Sequence, residues 1–445
     1  MDSLSSKKIY IETYGCQMNF SDSEIVASVL TEHGYLITRA IQSADIILLN
    51  TCSIRDHAEQ RVKKRLQQIR VFKKKKPDLT IGLLGCMADR IKNVLLEEEH
   101  LLDIIAGPDA YRDLPRLLDQ VESGQRGVNT LLSLEETYAD ITPVRLGSNG
   151  VSAYISIMRG CENYCSYCVV PFTRGRERSR DARSIIRESQ ELVGQGFREV
   201  TLLGQNVNSY RSNEGNDKIN FARLLDRIAS INPLLRIRFA TSHPKDISDE
   251  LLETIAIHPT ICRALHLPVQ SGSNRVLSRM NRKYTREEYL ERVETIRNVI
   301  PGCAISTDII SGFCDETEED HQETLSLMAQ VKFDYAFMFN YSERPMTPAA
   351  KTLKDNVPRE VKERRLTEVI GLQQKLSFES NKQDLGRVFE VLIEGNSKRS
   401  ADHFMGRNSQ NKVVVFPKTT AGPGEYVQVK VFSFTSATLL GETVQ

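Results

Sequence analysis

"RGCENYCSYCVVPFTRGRERSR", residues 159–180, places cysteines at positions 161, 165 and 168. A structural zinc site takes four ligands, commonly as two CxxC-type pairs. Here the spacing is C-x3-C-x2-C, and the next cysteine along the chain is Cys262. Three thiolates and an open fourth position suit a metal centre that binds something other than protein. The residues just upstream, "VSAYISIM" from Val151, read as a short apolar strand. The motif therefore sits on a loop at the carboxyl end of a strand, where parallel α/β sheets and barrels place their chemistry.

Downstream the same alternation continues to about Tyr341. "REVTLLG", "LRIRFAT", "CRALHLP", "GCAISTDII" and "FDYAFMFNY" read as further strands, with helical stretches between most of them. In one such stretch Phe221, Leu224, Leu225 and Ile228 recur at helical spacing and form an apolar stripe. Six βα units predict a partial (β/α)6 barrel of TIM type over residues 151–380, and a long charged helical stretch, about 358–384, leads to the last 60 residues.

Upstream, residues 1–125 predict a doubly wound parallel sheet. "KKIYIETYG", "ADIILLNTC", "LTIGLLGC" and "LLDIIAG" are strand-like; "SDSEIVASVLTEHG", the basic stretch from Arg55 and "ADRIKNVLLEEEH" supply helices. Cys16, Cys52 and Cys86 each follow one of the first three strands, so they project from one sheet edge as a second trio of thiols. Gly15 and Gly85 let the backbone turn beside two of them. Three cysteines filling core as small hydrophobes is the competing reading. Residues 126–150 are polar and turn-rich and read as a linker. Residues 381–445 hold short strands between Gly, Pro and Asn turns, the pattern of a small antiparallel β-barrel; Lys398, Arg399 and Arg407 are expected in its turns.

The 445 residues allow about three domains. With 40% hydrophobic and 26% charged residues the composition is globular, and no apolar run nears the ~20 residues of a membrane span. "MDSLSSKKIY" lacks the apolar core of a secretory leader, so a cytoplasmic protein without a membrane role is expected. In that compartment nine cysteines point to metal or redox chemistry rather than disulfides. The net charge of +1 hides segregation: residues 55–76 hold ten basic residues against two acidic, and residues 174–187 six against two. Such blocks suit a polyanion met at one face, though a solvated basic helix reads the same way.

C-x3-C-x2-C after the first barrel strand resembles the radical S-adenosylmethionine superfamily. Adding "TYGCQMNFSDSE", "LNTCSIRDHAEQRV", "LLGCMADR", "LHLPVQSGSNRVLSRMNR", "YSERPMTPAA" and "GRNSQNKVVVFP", essentially the whole chain resembles the methylthiotransferases of that superfamily. The resemblance implies a cysteine-bearing N-terminal domain, a central barrel and a C-terminal TRAM domain. It implies two [4Fe-4S] clusters, one on Cys161, Cys165 and Cys168, the other on Cys16, Cys52 and Cys86. S-adenosylmethionine would chelate the open iron of the first and yield a 5′-deoxyadenosyl radical; the second would carry or yield sulfur. Two S-adenosylmethionine molecules would be used per turnover, one as methyl donor and one as radical source. "GCQMN" and "NTCSIR" resemble the members acting on tRNA, which implies methylthiolation at carbon 2 of N6-isopentenyladenosine beside the anticodon. The implied partners are the tRNA anticodon stem-loop, an electron-donating flavodoxin or ferredoxin system and an iron–sulfur carrier, with the enzyme a monomer.

For the cofactor, the resemblance points to Tyr167 near the adenine, Gly204 and Gln205 after the second barrel strand, Ser242, Gln270 and Asp308 at later strand ends, and Arg344 near the carboxylate. Each is also a residue type that satisfies loop backbone. Phosphates are expected at Arg55, Arg61, Lys63, Arg174, Arg176, Arg178, Lys398 and Arg399. His243 and His266 are expected to be structural, and Cys262 and Cys303 to lie inside strands as core. Three departures from the family pattern stand out: "LLGQ" where a GGE-type run is common, Cys314 where proline is more frequent, and Met346 in place of a glycine. Two alternatives remain open: the same chemistry on threonylcarbamoyl-adenosine tRNA or a ribosomal-protein aspartate, and a non-catalytic iron–sulfur RNA-binding protein.

Overall fold

The computed structural model describes residues 6–52, 56–88 and 101–444, the side chains of residues 56–59 excepted. They form two compact units, one of Met1–Gly147, Met158–Glu162 and Cys168–Arg180, the other of Ser148–Ile157, Asn163–Tyr167 and Asp181–Gln445.

The first unit runs β1 (Lys8–Thr13), α1 (Gln17–Glu32), β2 (Leu36–Ile37), β3 (Ile46–Thr51), α2 (Asp56–Lys75), β4 (Thr80–Gly85), β5 (Ile104–Ala106), α3 (Leu114–Glu122) and β6 (Gly127–Asn129). All strands are parallel, in the order β2-β1-β3-β4-β5-β6. One sheet face is covered by Ile25, Val26, Val29 and Leu30 of α1 with Leu114, Leu117 and Leu118 of α3. The other face is covered by Val62, Leu66 and Ile69 of α2. The sheet is doubly wound as expected. Strand order reverses at β1/β3, the point where such sheets bind ligands.

Helix α1 starts earlier than "SDSE" suggested: Cys16 is its N-cap, and Ser21, Asp22, Ser23 and Glu24 are buried within it. Polar residues that look like caps here satisfy interior partners. The short strands β2 and β6 carry too little apolar pattern to be read from sequence. Segment 126–150, expected as a linker, supplies β6 and buries Tyr138 and Ile141 in the core beside α1. The helix expected over "ADRIKNVLLEEEH", residues 88–100, lies outside the described residues from position 89 on.

In the second unit six parallel strands follow one another around a partial barrel: Ser152–Ser156, Glu199–Leu203, Arg236–Ala240, Ala264–His266, Ala304–Ser311 and Tyr335–Asn340. Only an isolated bridge, Ile237 to Ile261, joins the third strand to the fourth segment. Cys262 and Cys303 are buried as expected, but each lies just before a strand rather than within it. A hairpin of Arg211–Glu214 and Asp217–Asn220 was not legible in the polar sequence. The charged helix spans Arg359–Lys382. It packs through a polar stripe in which Arg365 pairs with Glu316 at 3.0 Å and Gln373 donates to the Phe333 carbonyl at 2.9 Å.

The C-terminal strands Val388–Asn396, His403–Arg407, Val413–Pro417, Tyr426–Phe434 and Leu439–Thr443 close into a five-stranded barrel around Val391, Ile393, Val414, Phe416 and Val429. It is antiparallel except where Val414 and Val415 pair with Leu439 and Leu440 in parallel. Arg407 ends a strand and pairs with Glu394 at 2.9 Å, so it is not the turn residue expected. Among the described residues no helix is long and apolar enough to cross a membrane.

Candidate active site

None of the nine cysteines forms a disulfide. Cys16 caps α1 directly after β1, Cys52 follows β3, and Cys86 follows β4. The first two flank the strand-order reversal. Approach of the backbones requires glycine: a Cβ on Gly15, whose φ is +122°, would lie 2.3 Å from the Cβ of Cys52. A Cβ on Gly85 would meet the side-chain oxygen of Asn50 at 2.5 Å. Asn50 in turn donates to the Asn19 carbonyl at 2.8 Å and to Ser23 Oγ at 2.9 Å, which holds the start of α1 against β3.

Electrostatics act on Cys16 and Cys86 in opposite directions. A hydrogen bond from Cys52 lowers the Cys16 pKa to about 6 against the opposing effect of burial, and the charge of Arg174 assists. Burial pushes the Cys86 thiol up, with Arg174 opposing. Thiolates are the metal-binding form. Three sulfur donors on one strand-end edge, in a cradle that an added Cβ would fill, fit a cluster with one iron left to a non-protein ligand.

Arg174 brings the "RGRERSR" run into this site. Its Nε donates to Cys86 Sγ at 3.1 Å and its Nη2 to Asp22 at 2.7 Å. Arg159, the first residue of the opening motif, reaches the other oxygen of Asp22 at 2.8 Å. Arg178 pairs with Asp109 at 2.9 Å, and Arg159 Nε lies 3.6 Å from the same carboxylate. All five side chains are buried. Burial alone would raise the Asp22 carboxyl; Arg159 and Arg174 together hold it below the usual carboxylate range. Tyr138 stacks on Tyr111 at 5.6 Å and lies under the Arg159 guanidinium at 4.9 Å. None of Asp22, Asp109 or Arg159 was singled out from sequence. Their signal was weak, since Asp22 resembles a helix cap and an isolated arginine resembles surface.

Arg174 and Arg178 were expected at phosphates. Their burial in ion pairs removes them from a nucleic-acid face. Arg176 between them is exposed. Arg61 and Lys63 are exposed on α2, as are Lys398 and Arg399 after the first strand of the small barrel. Other members of the α2 block are held by carboxylates: Arg65 by Glu12 at 2.9 Å and Lys73 by Asp103 at 2.8 Å. Arg55 lies outside the described residues.

Cys161 and Cys168 belong to the first unit, where Gly160, with φ +77°, lets the chain pass Arg176: a Cβ there would sit 1.9 Å from its carbonyl oxygen. Cys165 and Tyr167 belong to the second unit. Tyr167 packs edge-on against Phe313 at 6.5 Å, beside buried Cys314. Arg282, overlooked in the sequence, donates from Nη1 to Cys165 Sγ at 3.2 Å.

At the carboxyl ends of the barrel strands, buried Gln205 Oε1, Ser242 Oγ, Ser311 Oγ and Asn340 Oδ1 have no hydrogen-bond partner among the described residues. Orphaned polar atoms are costly unless a ligand or water meets them. Unmet polar atoms at the strand ends fit a polar ligand held at that end of the barrel. Gly204 is buried beside Gln205. Gln270 adopts φ +72° and bonds backbone to backbone with Asp308 and Ile310, which forms an extra rung after the fourth strand. Asp308 lies 3.4 Å from His266 Nε2. His243 is buried near Arg282, Lys245 and Lys283, and its pKa falls to about 2 through desolvation first and these cations second. It is therefore neutral in the folded protein. Arg344 is buried in the "YSERP" turn, and Met346 adopts φ +75°, the backbone that a glycine would favour.

Comparison with known families agrees with this layout. Residues 8–107 match the uncharacterized protein family UPF0004, residues 155–328 the radical SAM superfamily, and residues 382–444 the TRAM domain. The chain resembles, in fold, a solved radical S-adenosylmethionine methyltransferase, TsrM, from Kitasatospora setae. That match has TM-score 0.56 and 15% identity over 78% of this chain and 75% of the other. The cobalamin-dependent S-adenosylmethionine radical enzyme OxsB follows at TM-score 0.55 and 14% identity, over 83% and 56%. Fold and motif together define a radical S-adenosylmethionine enzyme, a class that uses a [4Fe-4S] cluster and S-adenosylmethionine. Two curated relatives are 58% identical, from Amoebophilus asiaticus over 98% of this chain and 92% of the relative, and from Chloroherpeton thalassium over 98% and 96%. The chain belongs to their family, the tRNA-2-methylthio-N(6)-dimethylallyladenosine synthases.

Proposed function

We propose that this protein adds a methylthio group to carbon 2 of N6-isopentenyladenosine beside the anticodon of tRNA; the names of its relatives give tRNA and the 2-methylthio-N(6)-dimethylallyladenosine product for them. The observation that carries the reading is the gathering of Cys16, Cys52 and Cys86 on one sheet edge, in a chain that also holds C-x3-C-x2-C. A structural cluster would take four protein ligands. Two incomplete trios instead support two [4Fe-4S] clusters, each with an open iron.

An aromatic C–H carries no proton that a side-chain base could remove, so the hard step belongs to cofactors. When bound, these groups would supply a hydrogen-abstracting radical, a sulfur and a methyl, with two S-adenosylmethionine molecules per turnover. The chain's own residues bind and orient. Gln205, Ser242, Ser311 and Asn340 offer unmet polar atoms to the cofactor, with Tyr167, Gly204, Gln270, Asp308 and Arg344 around the same strand ends. Arg61, Lys63, Arg176, Lys398 and Arg399 are exposed cations suited to phosphates, and a single-stranded loop lets the base leave its stack. A flavodoxin or ferredoxin system as electron donor, an iron–sulfur carrier, a monomeric state and a cytoplasmic setting complete the proposal.

The test is anaerobic turnover of the reconstituted protein with S-adenosylmethionine, dithionite and tRNA carrying N6-isopentenyladenosine. The expected result is a nucleoside heavier by one methylthio group in place of hydrogen, together with 5′-deoxyadenosine. Product formed only on threonylcarbamoyl-adenosine tRNA, or on a ribosomal protein, would overturn the substrate. No 5′-deoxyadenosine from any of them would leave an iron–sulfur RNA-binding protein.

A further inference from the structure

Arg282 is buried, 4% exposed, and among the described residues it pairs with no carboxylate. Its Nη1 donates to Cys165 Sγ at 3.2 Å and to the Tyr167 hydroxyl at 3.4 Å. Its Nη2 donates to the Pro268 carbonyl at 2.6 Å, and its Nε to the Tyr284 hydroxyl at 2.9 Å. Five other buried arginines contrast with it. Arg159, Arg174, Arg178 and Arg365 each face a buried carboxylate, as does Arg238, 2.7 Å from Glu199. A desolvated guanidinium that meets only neutral oxygens is strongly disfavoured. At neutral pH both phenols are protonated, so the partner that carries negative charge is the Cys165 sulfur, once it is a metal thiolate.

The surrounding turn holds this contact in place. Asn281 and Lys283, on either side of Arg282, adopt φ of +55° and +59°. Such left-handed non-glycine residues persist where the neighbouring structure over-determines them, often at functional sites. That structure is the motif loop itself. Ser166 N–H donates to the Met280 carbonyl at 2.9 Å, Ser166 Oγ to the Arg279 carbonyl at 2.8 Å, and Asn281 Nδ2 to the Tyr164 carbonyl at 2.8 Å.

We propose that Arg282 is a positioning residue that sets the reduction potential of the cluster on Cys161, Cys165 and Cys168, through its Nη1–H···Sγ bond and its buried positive charge, which no carboxylate offsets among the described residues. The inference rests on the reading of these cysteines as cluster ligands. Hydrogen bonds to cluster sulfurs and local charge are the protein's means of tuning such potentials. Reduction moves one electron from a low-potential one-electron donor onto the cluster, from [4Fe-4S]2+ to [4Fe-4S]+, with no bond or proton changed at Arg282. The added negative charge is stabilised by the guanidinium, so Arg282 eases reduction.

The test uses full-length protein with Cys16, Cys52 and Cys86 all changed to Ala, reconstituted with iron and sulfide, so that only the cluster in question is present. Its midpoint is read by electron paramagnetic resonance during dithionite titration, then repeated with Arg282→Gln and Arg282→Lys. At the background protein's midpoint, Arg282→Gln is expected to show a reduced-to-oxidised ratio about tenfold lower, a shift of about 59 mV. Arg282→Lys keeps the charge and should shift less, in the same direction. A midpoint unchanged in Arg282→Gln overturns the proposal. Should that variant fail to take up iron, Arg282→Lys decides: a lowered midpoint supports the proposal and an unchanged one overturns it. If the background protein itself binds no four-iron cluster, the ligand reading fails and the inference falls with it.

Discussion

Arg174 Nε lies 3.1 Å from Cys86 Sγ while the same guanidinium grips Asp22 at 2.7 Å, so a residue of the "RGRERSR" run is built into the thiol site of the parallel sheet. Asp22 is the hub, since Arg159 takes its other oxygen. Asp22→Asn would leave both guanidinium groups short of a buried counter-charge, and a broken buried pair costs about 3–5 kcal/mol. The expected outcome is a loss of that size in urea unfolding of the cluster-free protein, with Asp22→Glu losing less.

Gly15→Ala tests the packing of the thiols without touching a sulfur. The added methyl would sit 2.3 Å from Cys52 Cβ at a backbone angle that alanine disfavours. Cys16 and Cys52 should separate, and on the proposed two-cluster reading iron bound per chain should fall by about half. Chemical analysis of iron, beside a Mössbauer spectrum, reads this directly.

Met346 holds φ +75° in the "RPMTPAA" turn. A β-carbon in the left-handed region carries a penalty of about 1–2 kcal/mol, part of which glycine returns as unfolded-chain entropy. Met346→Gly is therefore expected to stabilise the protein by about 1 kcal/mol, read as a raised Tm. An unchanged or lowered Tm would mean that the thioether packing outweighs the backbone strain.

His243 should impose a pH dependence on stability. Its folded pKa of about 2 lies below the ordinary histidine value, so the unfolded chain binds a proton that the folded chain refuses. Its contribution is complete above about pH 6.5 and is lost as pH falls below that value. Between pH 7.5 and pH 5 the loss should be about 2 kcal/mol. His243→Gln should flatten that part of the profile, measured as the difference between the two proteins' unfolding free energies across the range.

The sequence by itself determined the architecture and the six cluster candidates. Strand-length apolar runs alternating with helical stripes specified the parallel sheet and the six-stranded partial barrel, because periodicity and burial are local properties. The cysteines could be placed as well, since each follows a strand whose end is visible in the pattern. Charge was legible only as composition, and there the tertiary structure decided. Arg174, Arg176 and Arg178 look alike in sequence, yet the first and third are buried on Asp22 and Asp109 while the second faces solvent. Asp22 reads as a helix cap and proves to be the centre of an ion cluster, and Arg282 reads as one more basic residue while it donates to a cysteine 117 positions away. The physical reason is the same in each case. The worth of a charge depends on which opposite charge and how little water surround it, and both are set by residues far off in the chain.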